Sequence, residues 1–476
     1  MRPPPPRELL ALLRSLPAAR PLLERLRDGP EVFLVGGAVR DLLLGGRPGD
    51  LDLVVEGDPA PLLRRLGGEV VSHDRFGTST VTVGGFTYDI ARARRERYPH
   101  PGALPEVRPA PLEEDLRRRD FTVNAIATPL AGERAGELVS VPGALEDLAA
   151  RRLRVLHEAS FTDDPTRLLR LARYHGRLGF DVEPATRALV EAALAQGALG
   201  TVSGPRLGQE LRLLAAEADP VAAFLALGEL GLDRALHPDF GLTDVDLARR
   251  ALALLPADGR PALLALAVAA RRLAPAELRA LLEHLGFAAA ERDTILAAAG
   301  DAERLAAELA QARRPSAIAR AVGAAPVEEV ALAGALGPER AAADWLEGLR
   351  DVRLGIDGRD LLAAGVAEGP ALGRALRAAL EAKLDGRAPR RQDELAVALA
   401  AARDAAAPEA PAGYAAAPEA AARDASAREA ARDAAAPEAA GDAAAPEAPA
   451  GDAAAPEAAA RDASAREAAR DAPREG

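Results

Sequence analysis

The hydrophobic pattern changes about a third of the way along the chain. Before about residue 145, short β-branched runs bounded by Gly or Pro predict the strands of a mixed sheet, namely EVFLVGG, DLDLVVEG, EVVSH, TSTVTV and FTYDIA. Gly84-Gly85 joins the last two runs and predicts a hairpin. Later segments such as LLRLARYHGRLGF and RLGQELRLLAAE carry apolar residues at helical spacing. The pattern therefore predicts an α+β fold, a mixed β-sheet head followed by helices to about residue 400.

The last part of the chain, residues 401–476, has low complexity. Residues 404–434 recur at 442–472 with one change, from Tyr414 to Asp452. Prolines interrupt this Ala-rich segment at regular intervals, and it has almost no large apolar side chain with which to form a core. The alternative interpretation of this repeat is a solenoid, in which every repeat would need an apolar stripe to form a core. We therefore expect residues 401–476 to be disordered.

Composition limits the class of protein. The chain of 476 residues is 49% apolar, which is enough to bury several cores. It has no Cys, which excludes disulfide-linked partners, Cys-ligated metals and thiol nucleophiles. No apolar run approaches the ~18 residues of a membrane span. We expect a cytoplasmic protein with no membrane partner.

Net charge does not exclude a nucleic-acid partner, because the charge is unevenly distributed. The formal charge is −12. Residues 401–476 hold 8 Arg against 15 acidic residues and so contribute −7 of it. Residues 151–177 have the opposite balance, seven Arg against three acidic residues. A basic surface can therefore exist on this acidic chain.

The segment FLVGGAVRDLLLGGRPGDLDLVVEG contains a candidate catalytic pair. It predicts a strand ending at Gly36-Gly37, a helix over 38–44, a stop at Gly45-Gly46 and a second strand beginning near Asp50. Asp50 and Asp52 would then project from one face of that strand, roughly 7 Å apart along the backbone. Such a pair suits Mg²⁺ in phosphoryl chemistry, and glycines let backbone N–H groups approach a triphosphate. Exposed aspartates beside ordinary turn glycines are the alternative interpretation.

Two further segments carry candidate groups. Asp89, on the far strand of the hairpin, could accept the proton of an attacking hydroxyl group, although a solvated strand position is the alternative. In LEEDLRRRDFTVNAIA, Arg118 and Arg119 could neutralise phosphate and Asn124 could bind a sugar hydroxyl. A solvated basic run is the alternative there.

Together the motifs GGAVRD, GDLDLVV, RRDFTVNA and DDPTRLLRLARYHGRLGF resemble the class II tRNA nucleotidyltransferases. That group includes the CCA-adding enzymes and bacterial poly(A) polymerases of the polymerase β superfamily. The resemblance is close over residues 30–215 and only architectural over 216–400. It implies a nucleotidyltransferase head over 1–145, a helical neck with a nucleotide-recognition helix over 146–215, and an RNA-binding helical body and tail over 216–400, ahead of the low-complexity segment.

The resemblance also implies roles for particular residues. Asp50 and Asp52 would hold two Mg²⁺ ions, and Asp89 would help to deprotonate the RNA 3′-hydroxyl group. Asp164 and Arg167 would read the base. The other implied nucleotide-binding residues are Gly36, Gly37 and Arg40 at the triphosphate, Arg119 and Asn124 at the nucleotide, and Arg170 and Arg173 lining the pocket.

Base reading by an Asp–Arg pair is chemically reasonable. Cytosine and adenine both present an exocyclic amine beside a ring-nitrogen acceptor, which a carboxylate and a guanidinium group can match. Asp164 before Pro165 also has the pattern of a helix N-cap, although Asp163 could supply the cap instead. Asp163 stands where the resembled family commonly has Glu, and Ser140 stands where it often has Asp.

The resemblance implies template-independent addition of C and A to the tRNA 3′ end from CTP and ATP, with loss of pyrophosphate. Addition of CC only, of A only, or of poly(A) remains open. From different classes, a catalytically silent RNA-binding protein would gain nothing from three carboxylates where phosphate approaches. A small-molecule nucleotidyltransferase would share the Asp pair but would not need the long helical half.

Overall fold

A computed structural model describes residues 4–26, 31–73 and 78–406. The described residues form two compact units, one ending at Val352 and the other beginning at Arg353. From residue 407 onward, the low-complexity segment that we expect to be disordered lies outside the described part of the chain.

The central element of the first unit is a seven-stranded mixed sheet with the strand order β3-β4-β5-β2-β1-β8-β9. Strand β2 pairs parallel with β5, whereas the other neighbours in this sheet pair antiparallel. The pairs β6–β7 and β10–β11 form two separate two-stranded sheets. The strands are β1 Val32–Val35, β2 Leu51–Val55, β3 Glu69–His73, β4 Thr78–Val83, β5 Phe86–Arg92, β6 Arg94–Arg97, β7 Glu106–Pro109, β8 Ile126–Pro129, β9 Val139–Ser140, β10 Arg152–Leu153 and β11 Asp181–Val182.

Helices flank this sheet and form the rest of the first unit. Those up to residue 195 are α1 Pro6–Ser15, α2 Ala19–Leu26, α3 Gly37–Leu43, α4 Ala60–Leu66, α5 Leu112–Arg117, α6 Ala144–Ala149, α7 Ser160–Asp163, α8 Thr166–Leu178 and α9 Pro184–Ala195. The remainder of that unit contains α10 Gly204–Ala215, α11 Pro220–Glu229, α12 Leu232–Leu236, α13 Val245–Leu254, α14 Pro261–Ala270, α15 Pro275–His284, α16 Ala289–Gln311, α17 Pro315–Val322, α18 Val327–Ala335 and α19 Glu339–Glu347. The second unit contains α20 Gly358–Ala363, α21 Pro370–Leu384 and α22 Arg391–Ala406.

The sequence predictions for the head are confirmed in their main features. The hairpin between β4 and β5 turns at Gly84 and Gly85, whose φ angles are 60° and 83°. These left-handed values are the ones that a type I′ turn requires and that glycine adopts at low cost. Strand β1 is buried along its length because helices or strands cover it on every side.

Three details differ from the predicted pattern. The helical region is interrupted by the two-residue parallel pair β10–β11, which is too short to produce a period-two signal. Helix α6 spans the predicted head–neck boundary at 145/146, and one hydrophobic core continues from the head into the neck helices. Helix α22 continues past the predicted start of the low-complexity tail, with Ala402 buried.

Among the helices in the described ranges, none is both long and apolar enough to cross a membrane.

Candidate active site

A cavity of about 330 Å³ lies between the sheet and the neck helix α8. This volume falls at the lower end of the range of small-molecule sites. The residues predicted from sequence that line it are Gly36, Gly37, Asp52, Arg118, Arg119, Asn124, Asp164, Arg167 and Arg170. The structure therefore brings together groups that are up to 134 positions apart in sequence, from Gly36 to Arg170.

Two of the three carboxylates predicted from sequence, those of Asp52 and Asp89, lie on adjacent strands. Asp52 is exposed between the buried Leu51 and Leu53 of β2, so its side chain points away from the core. In the parallel β2–β5 pair, Asp52 is in register with Asp89. Neighbouring strands lie about 4.8 Å apart, which places these two carboxylates side by side on the sheet. Asp50 directly precedes β2 and is half-buried.

The carboxylates of Asp50 and Asp52 suit a hard divalent cation. Carboxylate oxygens are the ligands that Mg²⁺ prefers, and Mg²⁺ is usually held by one or two carboxylates together with water and substrate phosphates. Within residues 4–26, 31–73 and 78–406, no group of three or more Asp, Glu or His side chains is gathered as a metal site. Asp50 and Asp52 provide the two carboxylates, whereas Asp89 Oδ1 accepts a hydrogen bond of 2.6 Å from Thr80 Oγ1. The chemistry of the residues present therefore fits a site for a divalent cation.

The glycine turn after β1 makes room for an arginine. Gly36 has a φ angle of 72°, and a Cβ atom there would lie 2.7 Å from Arg119 Nη1. Asp115, which is fully buried, anchors the same guanidinium group through a 3.1 Å hydrogen bond from Arg119 Nη2 to its Oδ2. The turn therefore positions Arg119 at the cavity wall.

If the site binds a nucleoside triphosphate, as the resemblance implies, substitution of Gly36 by alanine should raise the KM for that ligand, and it should also lower stability. The left-handed backbone costs an L-residue about 1–2 kcal/mol, and the new methyl group would push Arg119 away from Asp115. Gly45→Ala is the matched control, since Gly45 has a φ angle of 81° but no atom within 4 Å of its Cβ position. Urea denaturation and steady-state kinetics measure the two effects. Equal KM values for the two variants would contradict a role for the Gly36–Arg119 contact.

A chain of hydrogen bonds connects α3 to α8 beneath the cavity. Arg40 Nη1 donates to Asn124 Oδ1 at 2.6 Å, Asn124 Nδ2 donates to Asp120 Oδ1 at 3.0 Å, and Arg170 donates to Asp120 Oδ2 through Nη2 at 2.8 Å and Nε at 3.0 Å. Arg40 is fully buried and also pairs with Asp41. Arg40 therefore does not line the cavity and reaches it through Asn124.

Asp120 should give this network a recognisable pH dependence. Burial alone would raise the pKa of Asp120, but Arg170 and the hydrogen bonds from Asn124 and Arg170 outweigh it and lower the pKa to about 2. A carboxyl group with a depressed pKa stabilises the fold above its unfolded value, near 4, and loses that contribution as pH falls towards 2.

The corresponding experiment compares wild type with Asp120→Asn. We expect the free energy of unfolding of wild type to fall by roughly 2 kcal/mol more than that of the variant between about pH 4 and pH 2. Urea denaturation at several pH values measures this difference. Parallel curves for the two proteins would contradict the assignment.

The last arginine predicted at the pocket, Arg173, lies outside its lining. Its guanidinium group is buried and lies 3.3 Å from Glu217 and 3.8 Å from Glu210 on the α10 side. Arg173 therefore joins α8 to its neighbour, whereas Arg170 lines the cavity.

Asp164 and Arg167 stand at the start of α8. Asp164 Oδ1 accepts hydrogen bonds from Thr166 N at 3.2 Å, Thr166 Oγ1 at 2.7 Å and Arg206 Nη2 at 2.9 Å. Pro165 occupies the N-cap position of α8, so neither aspartate is the N-cap residue. Asp164 contacts the first helical residue, Thr166, whereas Asp163 lies 3.9 Å from His157. Because these bonds all go to Oδ1, the second carboxylate oxygen can face a ligand.

The Arg167 guanidinium group is also held from behind. Its Nη1 donates to Ser160 Oγ and its Nη2 donates to the Arg118 carbonyl oxygen, each at 2.8 Å. Arg118 in turn pairs with the buried Asp115. A guanidinium group has five N–H donors, so these two bonds fix its orientation and leave donors for a ligand.

Sequence reasoning missed part of the wall. Glu96, Tyr98 and Pro105 line the cavity from the β6–β7 segment, and Tyr174 lines it from α8. Arg94, Glu96 and Tyr98 alternate along an extended chain, a period-two signal that places them on one face.

The poly A polymerase head domain matches residues 32–154 of the chain. The A-adding tRNA nucleotidyltransferase of Geobacter sulfurreducens is 43% identical over 250 residues, which cover 50% of this chain and 28% of that protein. The CC-adding tRNA nucleotidyltransferase of Deinococcus radiodurans is 39% identical over 356 residues, which cover 72% of this chain and 83% of that protein. The Thermotoga maritima CCA-adding enzyme complexed with tRNA superimposes with a TM-score of 0.66 at 27% identity, over 84% of this chain and 99% of that one.

Proposed function

Because this chain belongs to the family of tRNA nucleotidyltransferases and poly(A) polymerases, we propose that it adds C and A nucleotides to the 3′ end of tRNA without a template. CTP and ATP would be the substrates and pyrophosphate the second product. The observation that carries the proposal is the single cavity in which Asp52, Arg119, Asp164 and Arg167 meet. We also propose a cytoplasmic location for the reaction.

The carboxylates of Asp50, Asp52 and Asp89 support phosphoryl transfer. We assign Asp50 and Asp52 as the residues that would hold Mg²⁺, which when bound neutralises charge on the triphosphate and lowers the pKa of a coordinated hydroxyl group. Asp89, which is in register with Asp52, would take the proton of the RNA 3′-hydroxyl group. The Thr80 hydroxyl fixes Asp89 Oδ1 and so orients that carboxylate.

The remaining residues at and behind the cavity support nucleotide binding. Gly36, Gly37 and Arg119 would contact the triphosphate, and Asn124 would contact the sugar, with Arg40 and Arg170 fixing the hydrogen-bond chain behind them. Asp164 Oδ2 would accept from the exocyclic amine of C or A, and Arg167 would donate to the adjacent ring nitrogen. No nucleic-acid template is needed because both base-reading groups are protein side chains.

Partial activity is a second candidate, supported by the names of the relatives. Two of the relatives described above are named for A addition and for CC addition. In addition, the matched region spans only 28% and 51% of the A-adding relatives from Geobacter sulfurreducens and Halalkalibacterium halodurans. These partial matches leave the set of added nucleotides to experiment.

The test uses three forms of one tRNA, ending before the first C, after the first C and after the second C, with CTP and ATP supplied separately. We expect C on the first two forms and A on the third. Incorporation of C alone or of A alone would identify a partial enzyme, and repeated A on unrelated RNA would identify a poly(A) polymerase. No incorporation on any form would contradict the proposed function.

Steeply salt-dependent tRNA binding without incorporation would identify an RNA-binding protein. The absence of such binding would favour a small-molecule substrate.

A further inference from the structure

Two aromatic side chains line the cavity, Tyr98 and Tyr174. Guanidinium groups surround the Tyr174 ring. Their central carbon atoms lie 5.2, 5.6 and 4.9 Å from its centroid, for Arg40, Arg170 and Arg173 respectively. The Phe121 ring packs nearly perpendicular to the same ring, with the two centroids 5.8 Å apart. The faces of Tyr174 are therefore occupied by protein groups, and this ring serves to hold the arginines.

The Tyr98 ring has different surroundings. Within the described ranges, no guanidinium group stacks on this ring and no aromatic ring packs against it, although Arg167 and Asp164 lie close enough to its hydroxyl group to influence its pKa. The side chain is half-buried. Its hydroxyl group donates to Glu96 Oε2 at 3.0 Å. Burial and the Glu96 carboxylate raise the pKa of Tyr98, so the hydroxyl group stays protonated as a donor at neutral pH. A tethered ring at a cavity wall loses little conformational entropy when a ligand covers it.

Glu96 is itself fixed by charged partners. Its Oε1 accepts from Arg118 Nη1 at 2.8 Å and from Arg94 Nε at 3.3 Å. Because the Arg118 carbonyl oxygen accepts from Arg167, one short path of contacts connects the Tyr98 ring to a base-reading residue.

The segment that follows Tyr98 is held against the neck. Gly102 N donates to the Thr162 carbonyl oxygen at 3.2 Å. Arg206 Nη1 donates to the Gly102 carbonyl oxygen at 2.8 Å, and Arg206 Nη2 bonds Asp164 at 2.9 Å. The Tyr98 segment and the Asp164 carboxylate therefore share a partner, which fixes their relative position across the cavity.

We propose that the Tyr98 ring stacks on the base of the incoming nucleotide while Asp164 and Arg167 contact its edge. This inference rests on the proposed function. Every base has a π-face, so stacking adds affinity without discrimination and can serve a pyrimidine and a purine alike. The edge contacts then select C and A. This division between face and edge suits a site that must accept bases of two sizes.

The test replaces Tyr98 by leucine, which removes the ring, and by phenylalanine, which keeps it and removes only the bond to Glu96. Leu104→Ala, an exposed change in the same segment, is the matched control. Equilibrium dialysis measures affinity for CTP, ATP and ribose 5-triphosphate, which has no base. We expect Tyr98→Leu to weaken CTP and ATP binding by roughly 5- to 150-fold each, with ribose 5-triphosphate unchanged. Tyr98→Phe should lose much less.

Other outcomes would overturn the stacking role. Equal weakening of ribose 5-triphosphate would make Tyr98 a structural residue, and melting temperatures would reveal such a loss of fold. Unchanged affinity for all three ligands would exclude stacking on the nucleotide, and a rise confined to the KM for tRNA would place the ring against the RNA end instead. Because binding is measured without tRNA, these results remain readable even if the wild-type protein extends no RNA, the outcome that would contradict the proposed function.

Discussion

Replacing Asp52 by alanine is expected to abolish incorporation of both CTP and ATP while tRNA affinity stays within a few-fold. Asp52 is exposed at the cavity, and the buried Leu51 and Leu53 keep β2 in place. The change therefore removes a carboxylate from the reaction site without removing a core contact. Loss of a carboxylate that holds a catalytic cation removes several kcal/mol of transition-state stabilisation, which corresponds to a rate lower by roughly 10³-fold or more.

The measurement is single-turnover incorporation on a tRNA that lacks its terminal nucleotides, with tRNA binding followed in parallel. Asp293→Ala, which removes an exposed carboxylate from α16, is the matched control and should leave the rate unchanged. A folded Asp52→Ala protein that retains turnover with Mg²⁺ within tenfold of wild type would contradict the catalytic assignment. The same result would revive the interpretation of Asp52 as a surface residue.

The local pattern was sufficient to predict the strand, helix and second strand that surround Asp50 and Asp52. A buried strand, two glycines, a short helix and an i, i+2 Asp pair are all local signals, and α3 runs from Gly37 to Leu43 as that pattern predicts. The register of Asp52 with Asp89 could not be predicted in the same way. It depends on β2 pairing parallel with β5 although α4, β3 and β4 lie between them in sequence, which is a long-range property of the sheet.

The arginines of α8 show where spacing misleads. Arg167, Arg170 and Arg173 follow one another at intervals of three, which suggests a single row. Each step of three residues turns about 60° short of a full rotation, so the direction changes by about 120° from the first to the last. Arg167 and Arg170 therefore line the cavity, whereas Arg173 points towards Glu217. The sequence did not indicate Tyr98, because most of the other residues that line the cavity come from segments that are distant in sequence.

Replacement of Asp164 by asparagine is expected to change base choice more than it changes chemistry. Asparagine keeps an acceptor at the Oδ1 position for Thr166 and Arg206 and places an N–H donor where Oδ2 stood. A donor there repels the exocyclic amine of cytosine and matches the carbonyl group of uracil. The CTP to UTP ratio of kcat/KM should fall by roughly 5- to 150-fold, the range of one lost base contact of ~1–3 kcal/mol.

The two roles of Asp164 can be separated, because one oxygen holds the start of α8 and the other can face the base. Thr166→Val removes the hydroxyl bond to Oδ1 without altering the carboxylate, so it should lower stability and leave the CTP to UTP ratio unchanged. Asp164→Asn should do the reverse and lower the ratio at nearly constant stability. Because Arg167 still donates only, uracil N3–H finds no acceptor there, and UTP should remain a poorer substrate for the variant than CTP is for wild type. Measuring kcat/KM for both nucleotides and urea stability on the two variants decides the matter: if Asp164→Asn leaves the ratio where it stands in wild type, Asp164 serves only to begin the helix.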